Sequence, residues 1–302
     1  MKAKSTYLST IALWMMAGCM PVHGAEIQTY AGPQSVESNP AKVAVFDVAA
    51  IDTLDALGVT IDGVPNRLYL ERLQEKYAKA EVVGTLFEPD LEALNALAPD
   101  LIVVGGRSSG KQTETSRVAP SIDMTIWGED LIGQVRQRIL DYGRIFDLNH
   151  KAQALVSEFD HKIETAKNAL EGKGTALVLM TNGPKISVYG PGSRFGWIHS
   201  VLGLPAADPN IDASNHGDAV SFEYVAETDP DWLIVVDRAA AVGSNEQNAK
   251  ATLDNVLIRE TRAWKTGRIV YLPSASVYIA AGGAQATIEV IDSLIDGFSK
   301  TQ

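Results

Sequence analysis

The segment EALNALAPDLIVVGGR (Glu92–Arg107) recurs later in the chain as EYVAETDPDWLIVVDR (Glu223–Arg238). Both copies begin with Glu, contain Pro-Asp, continue into an apolar run and reach Arg fifteen positions after the Glu. Self-similarity at a fixed spacing indicates one supersecondary unit that is used twice. A short helix that begins near each Glu is expected to end before the Pro, because proline disfavours helix in the residue that precedes it.

The apolar runs Leu101–Val104 and Leu233–Val236 are uninterrupted, which is typical of strands covered on both faces in a parallel sheet. An arginine follows each run at its carboxyl end, the edge at which open α/β sheets bind ligands. Further strands are predicted around both runs: Val43–Phe46, Glu81–Val83 and Met124–Trp127 in the first half, and Ala176–Met180, Ile186–Tyr189 and Ile269–Leu272 in the second.

Two helices are predicted between these halves, at Leu131–Phe146 and His150–Leu170. The second has apolar residues at a helical period and would be about 30 Å long. We therefore expect an α/β protein with two Rossmann-like lobes of mostly parallel sheets, joined by one long helix and separated by a cleft. The predicted boundaries are 40–148 for the N-terminal lobe, 149–172 for the linking helix and 173–302 for the C-terminal lobe.

Residues 1–24 have the pattern of a secretion signal, in which Lys2 and Lys4 precede the apolar stretch Leu8–Ala17. Two processing routes fit: cleavage before Ala25, or lipidation of Cys19, since Met-Ala-Gly-Cys resembles a lipoprotein box. Cys19 is the only cysteine, so the mature chain is expected to have no disulfide and no thiol chemistry.

Charge and motifs exclude several functions. The 302-residue chain has a net charge of −11, and removing both signal lysines makes it −13, which argues against binding to nucleic acid. The stretch Gly105–Gln112 nearly matches a phosphate-binding P-loop, but Gln112 replaces the Ser/Thr that binds Mg²⁺. No zinc-protease helix motif is found in the sequence, so an exported hydrolase is disfavoured.

Five residues are candidates for a binding site. Arg107 and Arg238 end the repeated strands, and Arg194 lies in a Gly/Pro-rich loop after a predicted strand. Each could equally form a local salt bridge, but together they favour a pocket for a multiply charged anion, because guanidinium binds oxyanions and stacks on aromatic rings. His216, in a loop, and Tyr278, after the last predicted strand, could be an ordinary exposed histidine and a core tyrosine. An imidazole and a phenolate would also suit Fe³⁺ if its chelator left two positions open.

Three stretches carry a resemblance to a known family: LEALNALAPDL (Leu91–Leu101), YGPGSRFGWIHSVLG (Tyr189–Gly203) and PDWLIVVDR (Pro230–Arg238). From about Pro40 to its end the chain resembles the periplasmic ferric-siderophore-binding proteins of ABC importers, most closely the catecholate-binding branch. The resemblance implies a class III periplasmic binding protein fold.

The same resemblance implies roles for individual residues. Arg107, Arg194 and Arg238 would surround a ferric catecholate, and His216 and Tyr278 would ligate its iron when the siderophore supplies only four donors. Two further residues, Glu92 and Glu223, would dock one lobe each onto an inner-membrane permease.

The implied protein is a periplasmic monomer, soluble or anchored through Cys19, with a ferric siderophore and a permease as partners. It would have no catalytic residues and no intrinsic cofactor. Other cargo on the same scaffold, such as haem, ferric citrate or a cobalamin, stays open. So does the choice of siderophore, since the Ser-Ala-Ser-Val segment before Tyr278 lacks the aromatic residues common in this branch. A metal-sensing or adhesive surface protein is disfavoured by the repeat.

Overall fold

The computed structural model describes residues 24–211 and 217–300. The predicted signal core, Cys19 and His216 therefore lie outside the described residues. The strands are β1 (Gly24–Thr29), β2 (Gly32–Glu37), β3 (Val43–Val45), β4 (Gly63–Val64), β5 (Glu81–Val82), β6 (Leu101–Val104), β7 (Ser121–Asp123), β8 (Ala176–Asn182), β9 (Lys185–Tyr189), β10 (Asp218–Val220), β11 (Trp232–Asp237) and β12 (Ile269–Tyr271).

The helices alternate with these strands, as an α/β fold requires. They are α1 (Val48–Leu57), α2 (Glu71–Lys76), α3 (Leu91–Leu97), α4 (Gln112–Thr115), α5 (Leu131–Ile145), α6 (Asn149–Leu170), α7 (Trp197–Ser200), α8 (Phe222–Thr228), α9 (Arg238–Val242), α10 (Ala249–Leu253), α11 (Val256–Arg259), α12 (Arg262–Lys265), α13 (Ser274–Tyr278) and α14 (Ala284–Lys300). A short 3₁₀ helix, Gly106–Lys111, follows β6.

The N-terminal lobe contains a five-stranded, all-parallel sheet in the order β5-β4-β3-β6-β7. All its carboxyl ends therefore meet at one edge. The antiparallel hairpin β1–β2, which the sequence did not predict, precedes this sheet. It joins α5 and β7 through hydrogen bonds from Gln28 N to Asp141 Oδ2 (3.2 Å) and from Tyr30 N to Asp123 O (2.8 Å).

The repeated segments form the same unit in both lobes. Helices α3 and α8 each end at a left-handed residue before the proline, Ala98 with φ 49° and Asp229 with φ 41°. The following aspartates also have equivalent partners. Asp100 accepts backbone hydrogen bonds just before β3, from Ala41 and Lys42, and Asp231 accepts one just before β8, from Thr175. The Pro-Asp pair therefore ends one helix and fixes the start of the neighbouring strand.

The sheet of the C-terminal lobe, in the order β10-β9-β8-β11-β12, is mixed. Strands β8, β11 and β12 are parallel, whereas β9 is antiparallel to both β8 and β10. Only Gly183 and Pro184 connect β8 to β9, and so short a turn can join only antiparallel strands. The expectation of mostly parallel sheets thus holds fully for the N-terminal lobe and for the β8–β11–β12 part of this one.

The strand predicted at Met124–Trp127 is wrong: β7 lies three residues earlier, at Ser121–Asp123. The apolar composition of Met-Thr-Ile-Trp favoured a strand, but the residues after Met124 form no strand, and Met124 N alone of these continues to donate to β6, at Val104 O (2.9 Å). Their carbonyls bind a side chain instead, since buried Arg138 donates from Nε to Met124 O (3.1 Å) and from Nη2 to Thr125 O (3.0 Å).

Helix α6 connects the lobes, close to the predicted limits. It packs against α5 and α14, and one continuous apolar core extends from the first sheet through these helices into the second lobe. The C-terminal helix α14 returns to the N-terminal lobe, where its first turn is capped by α1: Ala284 N donates to Thr53 Oγ1 (3.1 Å) and Ala286 N to Asp52 Oδ2 (3.0 Å). Across residues 24–211 and 217–300, no helix combines the length and apolarity that crossing a membrane demands.

Candidate ligand-binding site

A cavity of about 410 Å³ lies in the cleft between the two lobes. One wall comes from the N-terminal lobe, and the other comes from Arg194 and from the helix and loop that follow β12. The lining residues are Asp47, Ala49, Gly106, Arg107, Thr125, Ile126, Trp127, Gly128, Leu131, Arg194, Tyr278, Ile279 and Ala281.

The parallel sheet explains why the N-terminal residues converge. Asp47 lies two residues beyond the end of β3, Arg107 lies in the 3₁₀ helix that follows β6, and Thr125 lies two residues beyond β7. These are neighbouring strands, so their carboxyl ends deliver three polar side chains to one edge. A hydrogen bond from Gly106 N to Thr125 Oγ1 (2.8 Å) joins the second and third of these segments.

Tyr278, the last residue of α13, is the centre of the site. The guanidinium carbons of Arg107, Arg194 and Arg238 lie 5.5, 5.0 and 5.8 Å from the centroid of its ring. These separations are within the range of cation–π attraction. The structure thus brings four of the five predicted binding residues together, and the fifth, His216, lies outside the described residues.

The three arginines are bound mainly to uncharged groups. Arg107 donates to the carbonyls of Tyr278 (3.2 Å) and Ile279 (3.3 Å), and Arg194 donates to Tyr278 O (3.4 Å). Arg238 donates to Tyr278 Oη (3.1 Å) and, from Nη1, to Asn182 Oδ1 (2.9 Å).

Among the described residues, no carboxylate neutralises these charges through a direct ion pair. Within the described part of the chain, none of the three arginines forms a salt bridge. Burial lowers the pKa of Arg194, and the nearby charge of Arg107 acts in the same direction. Positive charge is therefore concentrated in the cleft of an otherwise acidic protein.

Asp47 brings a carboxyl group into the same cavity. Burial raises its pKa to about 6, although the backbone N–H of Ala49 and the charge of Arg107 oppose the rise. The group is thus mostly ionised at pH 7, but its pKa lies much closer to neutral pH than that of an ordinary aspartate. Sequence reasoning missed it, although its position just after the predicted strand Val43–Phe46 was a usable signal.

Arg194 reaches the site by a route that differs from that of the other two. Strand β9 is antiparallel to β8, so its carboxyl end lies at the opposite edge of the sheet from the carboxyl end of β11, where Arg238 begins α9. Arg194 lies in the loop beyond β9, where Phe195 is buried in edge-to-face contact with Tyr189 (4.7 Å between centroids). The guanidinium carbon of Arg194 lies 5.1 Å from the Phe195 ring, so buried aromatic packing supports this arginine.

The two predicted docking residues lie outside the cavity. Glu92 and Glu223 are exposed, each at the second position of its helix, after the N-cap residues Asp90 and Ser221. In the P-loop-like segment, Lys111 pairs with Glu88 at 2.7 Å.

Two further lining residues that were not predicted as site residues, Ile126 and Trp127, come from the segment after β7. Trp127 was assigned to a strand, yet it is exposed at the margin of the cavity. Ile126 reaches across the cleft, since a Cβ on Gly282 would lie only 2.4 Å from its Cδ1. No pattern in the sequence distinguishes these two from ordinary strand residues.

The chain is similar in sequence and structure to known binding proteins. The periplasmic binding protein family matches residues 43–276. The petrobactin-binding protein of Bacillus subtilis is 38% identical over 272 residues, covering 88% of this chain and 84% of the relative. Its crystal structure superposes with a TM-score of 0.85 at 35% identity, over 91% of this chain and 99% of that one.

Two proteins from Vibrio are also similar. The ferric-anguibactin-binding protein of Vibrio anguillarum is 30% identical over 88% of this chain and 85% of its own. The crystal structure of the periplasmic catecholate-siderophore-binding protein of Vibrio cholerae has a TM-score of 0.83 at 30% identity, over 90% of this chain and 99% of that one.

Proposed function

The chain belongs to the periplasmic binding protein family, and from this we propose that it captures an anionic ferric siderophore of the catecholate type between its lobes. In this proposal the loaded protein delivers the complex to an inner-membrane ABC permease. No bond is made or broken in the ligand, so binding and release are the whole function, and the chain acts outside the cytoplasm.

The observation that carries the proposal is the convergence of three arginines from both lobes on the Tyr278 ring, without carboxylate partners among the described residues. Catecholate oxygens bound to iron(III) carry delocalised negative charge, which planar guanidinium groups can bind through charge-assisted hydrogen bonds. Relatives that bind petrobactin, anguibactin and a catecholate siderophore support the same class of ligand.

Tyr278 and His216 are the proposed iron ligands when the siderophore supplies four donors. The phenol of Tyr278 lines the cleft, and Arg238 donates a hydrogen bond from Nε to its oxygen (3.1 Å). Gly217, which follows His216, lies against the ring of Tyr189 in the same lobe. Tyr278→Phe should weaken binding of a tetradentate ferric complex and leave binding of a hexadentate one unchanged in a calorimetric titration.

Glu92 and Glu223 are the proposed contacts with the permease. They occupy the same position in the repeated unit, one in each lobe, and both are exposed. A hydrogen bond from Ser221 lowers the pKa of Glu223, so this carboxylate is ionised at neutral pH. Two equivalent carboxylates suit a partner that presents two equivalent basic surfaces.

The proposal is tested with a ligand panel and a double variant. Isothermal titration calorimetry would compare a ferric catecholate, the iron-free catecholate, ferric citrate, haem and cobalamin. Each charge-assisted hydrogen bond contributes about 1.5–3 kcal/mol, so Arg107→Ala with Arg238→Ala should weaken ferric-catecholate binding by about a hundredfold or more. Arg259→Ala, which removes an exposed guanidinium paired with Asp254, is the matched control.

The panel also separates the alternatives. Binding of haem, cobalamin or ferric citrate in preference to the ferric catecholate would assign other cargo to the scaffold. An unchanged affinity in the double arginine variant would remove the pocket assignment.

Docking is tested by transport rather than by affinity. Glu92→Ala with Glu223→Ala should keep ligand affinity and abolish iron uptake in cells that carry the cognate permease. Glu227→Ala, an exposed glutamate on the same helix as Glu223, is the control and should transport normally. Normal uptake by the double variant would refute the docking role.

A further inference from the structure

Trp127 is a large aromatic side chain left in solvent at the rim of the ligand cavity. Its relative exposure is 62%, and it lines the cavity together with Arg107. The other tryptophans for which burial is described, Trp197, Trp232 and Trp264, are buried or half-buried. An exposed indole forgoes the favourable burial of its apolar surface, so its position calls for a physical reason.

The backbone that carries this exposed ring is held firmly. The side-chain amide of Gln134, on α5, binds both sides of the Trp127 backbone: Trp127 N donates to Oε1 (3.1 Å), and Nε2 donates to Trp127 O (2.5 Å). One turn further along α5, Arg138 binds the carbonyls of Met124 and Thr125. Helix α5 thus fixes the segment while the indole itself stays free.

The same network connects Trp127 to the arginine site. Thr125 accepts a hydrogen bond from Gly106 N at 2.8 Å, and Gly106 precedes Arg107. Ile126 packs against Gly282 of the opposite lobe. The indole is therefore presented at a set position beside a cation and next to the contact between the lobes.

We propose that the Trp127 indole stacks on an aryl ring of the bound ferric complex, and that this residue selects aryl-bearing siderophores over aliphatic anions of similar charge. The inference rests on the proposed function and deepens it. Arg107, Arg194 and Arg238 supply charge recognition, which an aliphatic ferric complex satisfies equally well. An exposed indole face on a fixed backbone adds a stacking contact that only an aromatic ligand can make.

The test compares two iron(III) complexes on four proteins by isothermal titration calorimetry, which does not depend on tryptophan emission. The complexes are that of a synthetic bis-catecholamide and ferric citrate. The proteins are the wild type, Trp127→Ala, Trp127→Phe and Tyr30→Ala. Tyr30 is the matched control because it is an exposed aromatic residue (53%) outside the cavity.

Trp127→Ala should weaken the catecholamide complex about tenfold, which corresponds to about 1.4 kcal/mol, and leave ferric citrate affinity unchanged. Trp127→Phe should retain most of the affinity, and Tyr30→Ala should behave as the wild type. Equal affinity of wild type and Trp127→Ala for the catecholamide, or equal losses for both complexes, would overturn the stacking role. Failure of the wild type to bind either complex would instead count against the proposed function.

Discussion

Binding of an anionic ferric complex should be accompanied by proton uptake at Asp47, and Asp47→Asn should remove that uptake. Asp47 lines the cavity beside Arg107, and burial already raises its pKa to about 6. An anion placed in the same cavity disfavours the ionised carboxylate further and therefore raises the pKa again. The protein should then bind a proton together with its ligand at neutral pH.

The size of the rise in the pKa of Asp47 follows from the volume of the cavity. A volume of 410 Å³ corresponds to a sphere about 9 Å across, and two unit charges about 8 Å apart interact by about 2 kcal/mol at an effective dielectric constant of about 20. Since Arg107 offsets part of this, we take a rise of about one pKa unit, or about 1.4 kcal/mol. At pH 7 the protonated fraction of Asp47 would rise from about 0.1 to about 0.5, an uptake of about 0.4 protons.

The assay is calorimetry at pH 7 in phosphate and in Tris, whose ionisation enthalpies differ widely. The dependence of the observed enthalpy on the buffer gives the number of protons taken up. Asn is matched in size to Asp and can still accept the hydrogen bond from Ala49 N that caps α1. Protons exchanged by the siderophore itself are common to both proteins, so the difference reports Asp47. Equal uptake by wild type and Asp47→Asn would refute the reasoning.

Three further predictions concern stability and the charge balance of the site. Asp52→Ala should lower the free energy of unfolding by about 2 kcal/mol in urea titrations, because it uncaps α14 and removes the ion-pair partner of half-exposed Arg72; a loss below about 0.5 kcal/mol would contradict this. Ala98→Gly should stabilise the fold by about 1 kcal/mol, because Ala98 is left-handed, whereas Ala96→Gly on the same helix should destabilise it by a similar amount; changes of the same sign would contradict the backbone argument. Asn182→Asp should pair with Arg238 and weaken ferric-catecholate binding about tenfold while raising the melting temperature; unchanged affinity would show that Arg238 does not meet the ligand.

The repeat made much of the architecture predictable. Its apolar runs are short and rich in β-branched residues, which favours strands covered on both faces, and the Pro-Asp pair marks where a helix is expected to end. These local constraints predict β6 and β11 and the positions of Arg107 and Arg238 at their carboxyl ends. The chemistry of guanidinium then predicts a shared anion site, and the structure does place these arginines around Tyr278.

Features that depend on distant contacts could not be predicted in this way. The capping of α14 by Asp52 joins residues 234 positions apart, and no local pattern encodes it. Met124–Trp127 has strand composition, but Arg138 and Gln134 on the following helix draw its carbonyls out of the sheet. The direction of β9, by contrast, was encoded in the two-residue Gly-Pro turn.

The arginines of the site form hydrogen bonds to uncharged groups, and this affects how easily the protein can bind and release an anionic ligand. An anion that enters the cleft competes with carbonyl, amide and phenol oxygens for Arg107, Arg194 and Arg238, and each hydrogen bond from these charged donors contributes about 1.5–3 kcal/mol. Had each arginine been paired with a buried carboxylate, displacing that partner would have left an uncompensated charge, at a cost of about 3–5 kcal/mol. Asp47 is the acidic group that lines the cavity, and it can take up a proton when the anion binds. The three arginines can therefore bind the ligand without first displacing a carboxylate from the site. The acidity of the remaining surface does not weaken this, because charges beyond about 8–10 Å are screened at physiological ionic strength.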